Sequence, residues 1–148
     1  MFKHILIATD GSELAGKALA NGLGLAKSIG AKVTIVTVSP LWSATEMAGR
    51  AGRGSPHPIE AYEKKVADWA AKVLGEARQV AQRSAVDCAT VHVQDSSPDE
   101  GIIDTARKSG CDLIVMSSHG RTGVTRVLLG SVAMKVLTHT PMPVLVCR

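Results

Sequence analysis

The residues best suited to chemistry lie late in the chain, in the run Ser117-Ser118-His119-Gly120-Arg121-Thr122-Gly123-Val124-Thr125-Arg126-Val127-Leu128-Leu129-Gly130-Ser131. Glycines 120, 123 and 130 permit positive φ and close approach of backbone to a ligand. Arg121 and Arg126 add positive charge. Ser131 is placed to cap a following helix, whose free N–H groups and dipole favour an anion. Backbone of this kind wraps a polyphosphate chain without needing a side-chain lysine. A plain glycine-rich connector is the alternative, but the run is long for a simple strand-to-helix link. His119 sits where it would meet phosphate, although an exposed loop histidine is the commoner outcome.

Two other stretches imitate phosphate loops. Gly11-Ser12-Glu13-Leu14-Ala15-Gly16-Lys17-Ala18 resembles a P-loop, but Ala18 stands where Ser or Thr would ligate magnesium. Ser12 reads instead as the cap of a helix that starts at Glu13. Gly22-Leu23-Gly24-Leu25 falls inside that helix, so its glycines point to close packing of helix on sheet. Asp10, at the end of the first strand, is a turn or site residue. Asp95, Asp99, Glu100 and Asp104 cluster at a helix start, where acidic side chains meet the dipole favourably. Ser/His/Asp and Cys/His arrangements with a nucleophile at a sharp strand-to-helix turn are not visible, which argues against a fast hydrolase.

The elements that must position these residues follow from periodicity. Ile5–Ala8 and Leu113–Met116 are continuous apolar runs, as in strands covered on both faces. Val33–Val38 and Val144–Val146 are β-branched, and a weaker fifth strand is predicted at about Val86–Val93. Helices are predicted over Glu13–Ile29, with Leu14, Ala18, Leu25 and Ile29 on one face and Gly30 as the stop. Pro58 opens the next, on which Ile59, Tyr62, Val66, Trp69, Val73, Ala77 and Val80 recur at steps of three and four. Pro98–Lys108 and Ser131 to about Thr138 complete the set, the last stopped by Pro141 and Pro143. Pro40–His57 reads as an irregular surface segment, or as a lid.

Alternating strands and helices imply right-handed crossovers and a largely parallel sheet. Ligands of such sheets bind beyond the carboxyl ends of the strands. That places interest on Ala8–Ser12, on Val38–Pro40 and on everything after Met116.

The chain resembles the universal stress protein family over essentially its full length. Ile5-Leu6-Ile7-Ala8-Thr9-Asp10-Gly11-Ser12, Pro143-Val144-Leu145-Val146 and the long loop carry the resemblance. The family signature G-x2-G-x9-G-[S/T] is matched by Ser117-x2-Gly120-x9-Gly130-Ser131, with both spacings intact. The resemblance implies one α/β domain over residues 1–148: an open five-stranded parallel sheet with helices on both faces, strand order 3-2-1-4-5, of the adenine nucleotide alpha hydrolase type. It implies a nucleotide site made by Ala8, Thr9, Asp10, Val38, Met116, Ser117, Gly120, Gly130, Ser131 and Val132. In it Asp10 and the backbone of Ala8 and Thr9 face adenosine, and the backbone of Val38 bonds adenine. Gly120 lines the phosphate path, while Gly130, Ser131 and Val132 hold phosphates. ATP is the first expectation, with or without magnesium, and ADP or AMP the next. Pairing of two copies through the last strand is also implied. Ser117 in place of glycine brings a Cβ toward the ribose, and Ala133 lacks the hydroxyl that ATP-binding relatives often carry there.

Composition bounds the rest. A chain of 148 residues supports one core, 45% of it hydrophobic, and only Phe2, Trp42, Tyr62 and Trp69 are aromatic. Cys88, Cys111 and Cys147 are widely spaced, as reduced thiols in a cytoplasmic protein are. His4, His57, His92, His119 and His139 show no metal-binding pairing. The net charge of +4 is scattered, without the basic block expected of a nucleic-acid binder. The start of the chain runs straight into a strand, and no apolar run is long enough for a membrane span. Three functions compete on these grounds: a stress-response ATP-binding module, a slow ATPase or nucleotide-transfer enzyme on the same site, and a dimeric stress protein without nucleotide.

Overall fold

The computed structural model describes residues 1–121 and 128–148. Gly123 and Arg126, both named above, lie outside the described residues. The elements are β1 His4–Ala8, α1 Glu13–Ile29, β2 Lys32–Ser39, α2 Ala44–Gly52, α3 Pro58–Arg83, β3 Cys88–Gln94, α4 Pro98–Lys108, β4 Leu113–Ser117, α5 Ser131–His139 and β5 Val144–Cys147. The strands form one parallel sheet in the order β3-β2-β1-β4-β5. That is the order expected.

Strand alternation divides the core between the two faces. Ile5, Ile7, Val33, Ile35 and Val115 pack on one side with Ala18, Leu19, Leu23 and Ala26 of α1 and Ala77 and Ala81 of α3. Leu6, Ala8, Val36, Ile114 and Met116 pack on the other with Ile102, Ile103 and Ala106 of α4 and Ala133 and Val136 of α5. Ile5, Leu6, Ile7, Ile35 and Ile114 are completely buried, which explains why β1 and β4 read as unbroken apolar runs.

Helix α1 turns a different stripe inward from the one its large residues suggest. Ala15, Ala18, Leu19, Gly22, Leu23 and Ala26 are buried, while Leu14, Leu25 and Ile29 flank the contact half-buried. Small residues let the helix sit close: a Cβ on Gly22 would lie 2.7 Å from Ile7 Cδ1. Ser12 Oγ accepts from the Ala15 amide at 3.2 Å, and Gly30 closes the helix at φ 68°. The P-loop imitation is therefore a capped helix start.

The segment Pro40–His57 is not irregular throughout. It contains α2, capped by Ser43, whose Oγ accepts from the Glu46 amide at 3.1 Å. Met47 packs with Tyr62 and Val66 of α3, and Tyr62 Oη donates to the Pro40 carbonyl at 2.9 Å. The helix is docked on α3, which replaces the loop expectation. Strand β3 also starts later than expected, because Ala85 at φ 55° and the Val86 amide bonded to the Ala81 carbonyl end α3 in a turn. On α3, Ala70 and Ala81 are buried, Trp69 and Val80 are half-buried, and Ile59 is exposed.

The start of β1 is stapled to the turn before β4. The Asp112 carboxylate accepts the Lys3 amide at 2.8 and 3.1 Å and the His4 amide at 3.0 Å. Those bonds to the charged form, the Lys3 amide foremost, hold the Asp112 pKa below its ordinary value. A carboxylate depressed in the folded state adds stability that is full above its unfolded pKa of about 3.9 and is lost as pH falls through the folded value. Asp112→Ala is accordingly expected to cost about 1 kcal/mol at pH 7, a low figure because the group is half-exposed. Urea unfolding should show that difference narrowing below about pH 4; a gap of equal size at pH 2.5 and pH 7 would refute the role of the charge.

Cys111 and Cys147 are buried, Cys88 is half-buried and all three are unpaired. Burial pushes the Cys111 thiol up to about 11 and raises that of Cys88, so neither is a ready nucleophile.

Candidate functional site

Where β1 and β4 part at their carboxyl ends, the two connections leave in different directions and open a cleft. Its volume is about 600 Å³, within the range of small-molecule sites. All ten residues expected at the site line it: Ala8, Thr9, Asp10, Val38, Met116, Ser117, Gly120, Gly130, Ser131 and Val132.

The cleft differs along its length because the strand order does. Toward β2 the wall is apolar, built by Val36, Val38 and Pro40 with Pro98 and Ile102 of α4. In the ladder, the Thr9 amide donates to the Val36 carbonyl at 2.9 Å, the last such bond on that side. Alternate residues of a strand face the same neighbour, so the N–H and C=O of Val38 point to the side that β1 has already left. They form a donor–acceptor edge inside an apolar pocket.

Toward β4 the wall is backbone. Helix α5 begins at Ser131, and the Met134 amide makes its first internal bond, to the Gly130 carbonyl at 2.9 Å. The amides of Ser131, Val132 and Ala133 are thus the donors that the first turn leaves without a helical partner. Arg121 also lines the cleft.

Several roles differ from the sequence reading. Gly130, not Ser131, is the residue before the helix, and Ser131 makes no capping bond. The Gly130 amide donates to the Ser118 carbonyl at 2.8 Å, so it ties the loop rather than facing the cleft as a donor. Gly130 has φ −62°, and neither it nor Gly120 has positive φ. Both are glycine for room: a Cβ would lie 2.8 Å from the Ser118 carbonyl oxygen at Gly130 and 2.9 Å from Asp10 Oδ2 at Gly120. Ala133 is buried in the core and is not among the residues that line the cleft.

The loop is further knotted by side chains. Ser117 Oγ donates to the His119 carbonyl at 2.8 Å, and Ser118 Oγ is 3.0 Å from His119 Nδ1. Asp10 joins the two connections, accepting from the Ser12 amide at 3.0 Å through Oδ1 and from the Arg121 amide at 2.9 Å through Oδ2. It is both a turn residue and a wall residue. Among the described residues no group of three or more His, Cys, Asp or Glu is arranged to hold a metal.

The acidic cluster lies apart from this cleft and serves α4 only in part. Asp95 Oδ1 accepts from the Ser97 amide at 3.0 Å and Asp104 is 3.6 Å from Arg107. Asp99, however, is buried, with Oδ2 3.4 Å from His139 Nδ1. Pro98 and Ile102 escaped the sequence reading as site residues. The signal was their place at the start of a helix that leaves the carboxyl end of a strand.

The model of the universal stress protein family matches residues 1–148. Universal stress protein MJ0531 of Methanocaldococcus jannaschii is 33% identical over 151 residues, covering 100% of this chain and 83% of the relative. The structure of hypothetical protein MJ0577 superposes with a TM-score of 0.81 at 26% identity, over 99% of this chain and 96% of the other. A universal stress protein in complex with cAMP shares the fold at a TM-score of 0.69 and 23% identity, over 99% of this chain and 97% of the other. Among the described residues, no helix is long and apolar enough to cross a membrane.

Proposed function

We propose, from the premise that the chain belongs to the universal stress protein family, that it binds an adenine nucleotide in the cleft between β1 and β4. The observation that carries this reading is the division of the cleft. An apolar pocket with the Val38 backbone edge suits a flat heteroaromatic base, and the first-turn amides of Ser131 and Val132, which have no partner within the helix, together with Arg121 suit phosphate. Asp10, between the two ends, still has lone pairs for a ribose hydroxyl.

ATP is our first assignment, followed by ADP and AMP. Both oxygens of Asp10 already accept amides, so magnesium that accompanies the nucleotide would be held by its phosphates and water. The protein is then a regulatory binding module of the cytoplasm rather than a fast hydrolase. A homodimer through β5 completes the reading: that strand pairs with β4 on one side and carries a half-exposed Leu145.

Titration with ATP and magnesium should raise the melting temperature. At a ligand concentration a hundredfold above Kd the native state gains about 2.7 kcal/mol, several degrees for a chain of this size. Light scattering on the same samples reads the dimer. An unchanged melting temperature at millimolar ATP, ADP and AMP would exclude the site.

A further inference from the structure

Arg121 makes two different contacts at the rim. Its amide donates to Asp10 Oδ2 at 2.9 Å, and its guanidinium lies over the indole of Trp69, 4.9 Å from the ring centroid. Trp69 belongs to α3, on the opposite face of the sheet from α4 and α5. Four residues further along α3, Val73 presses on the turn after β1: a Cβ on Gly11 would lie 2.9 Å from Val73 Cγ2. One face of α3 therefore meets both connections that bound the cleft.

A guanidinium stacked on an aromatic ring is held by its flat face, which leaves the N–H donors at its edge available. Arg121 also lines the cleft. Among the described residues no carboxylate forms a salt bridge with it.

We infer that Trp69 is a positioning residue for phosphate recognition: it holds the Arg121 guanidinium in a fixed plane at the cleft wall, with its donor edge turned to the ligand. This rests on the nucleotide reading above and adds a residue, from another element, that never touches the ligand. The free energy comes from order. An exposed arginine loses rotamer freedom when it grips a phosphate, and stacking on Trp69 removes much of that loss before the ligand arrives.

The test compares ADP with adenosine, which lacks phosphate, by calorimetry. Proteins to be titrated are the unsubstituted chain, Trp69→Ala, Trp69→Phe, Arg121→Ala and the double variant Trp69→Ala/Arg121→Ala. Trp69→Ala is expected to weaken ADP by roughly threefold to tenfold, the range of a cation–π contact at a half-exposed site. Adenosine affinity should stay within about twofold, Trp69→Phe should restore most of the ADP affinity, and the double variant should be no weaker than Arg121→Ala alone.

Equal weakening of ADP and adenosine by Trp69→Ala would make Trp69 merely structural and overturn the inference. So would full additivity in the double variant, or unaltered ADP binding in Arg121→Ala, an exposed substitution that leaves the core intact. Failure of the unsubstituted protein to bind either ligand overturns the nucleotide reading as well, and is thereby told apart from failure of the positioning role alone.

Discussion

Replacing Gly130 by alanine is expected to weaken adenine nucleotide binding by on the order of tenfold or more, although φ at that position is one that any residue adopts. The added methyl has nowhere to go. It would lie 2.8 Å from the Ser118 carbonyl oxygen and 3.3 Å from His119 Cα, both backbone atoms. The same carbonyl accepts the Gly130 amide at 2.8 Å, so relief of the clash breaks the bond that fixes the start of α5. The first-turn amides of Ser131 and Val132, which line the cleft, then shift with the start of α5. Overpacking of this kind costs about 1–3 kcal/mol, but most of it falls on the loop and α5, so the sheet should persist. Calorimetry with ADP and a thermal melt separate the two effects. Affinity within twofold of the unsubstituted protein would mean that the close approach is not needed.

The largest loss of stability is expected at Gly22. Its missing Cβ faces Ile7 Cδ1 at 2.7 Å, Ile7 Cγ1 at 3.0 Å and Val115 Cγ1 at 3.3 Å. Ile7 and Val115 are fully buried in the two central strands and cannot swing aside. Gly22→Val therefore forces α1 off the sheet, at about 3 kcal/mol. Two residues on, Gly24 has no atom within 4 Å of its missing Cβ. Gly24→Ala is expected to stabilise by about 0.5–1 kcal/mol through helix propensity alone. Denaturant unfolding of both variants gives opposite signs on one helix. A loss below 1 kcal/mol for Gly22→Val would show that the helix is free to move away.

That pair of glycines also shows what the sequence made legible. The strands were readable because Ile5–Ala8 and Leu113–Met116 are apolar without alternation, as in strands covered on both faces, whereas their order came from the family resemblance. The inward stripe of α1 was not, because large side chains draw attention while a close helix–sheet contact is made by Ala15, Ala18, Gly22 and Ala26. Helix α2 buries little besides Met47, so its periodicity is weak. Its cap was nevertheless written in Ser43 followed three residues later by Glu46.

The residues that line the cleft were named by the family resemblance, which the spacing of Gly120, Gly130 and Ser131 helped to carry. The division of labour was not. Whether Gly130 donates its amide to a ligand or to Ser118 depends on where the loop returns, and spacing carries no such information. Trp69 was hidden for a related reason. At its helical interval it reads as core, and only the fold brings it under Arg121.

The cleft draws its walls from stretches near both ends of the chain, and β1 gains its second neighbour only through β4. Lys3 and Asp112, which staple that pairing, are 109 positions apart. A pairing so distant in sequence carries a larger loop-closure cost than the β1–β2 and β2–β3 pairings. On the ribosome, the half-sheet emerges with β1 bare along one edge and with no place for a ligand. The cleft is thus complete only once β4 has paired with β1.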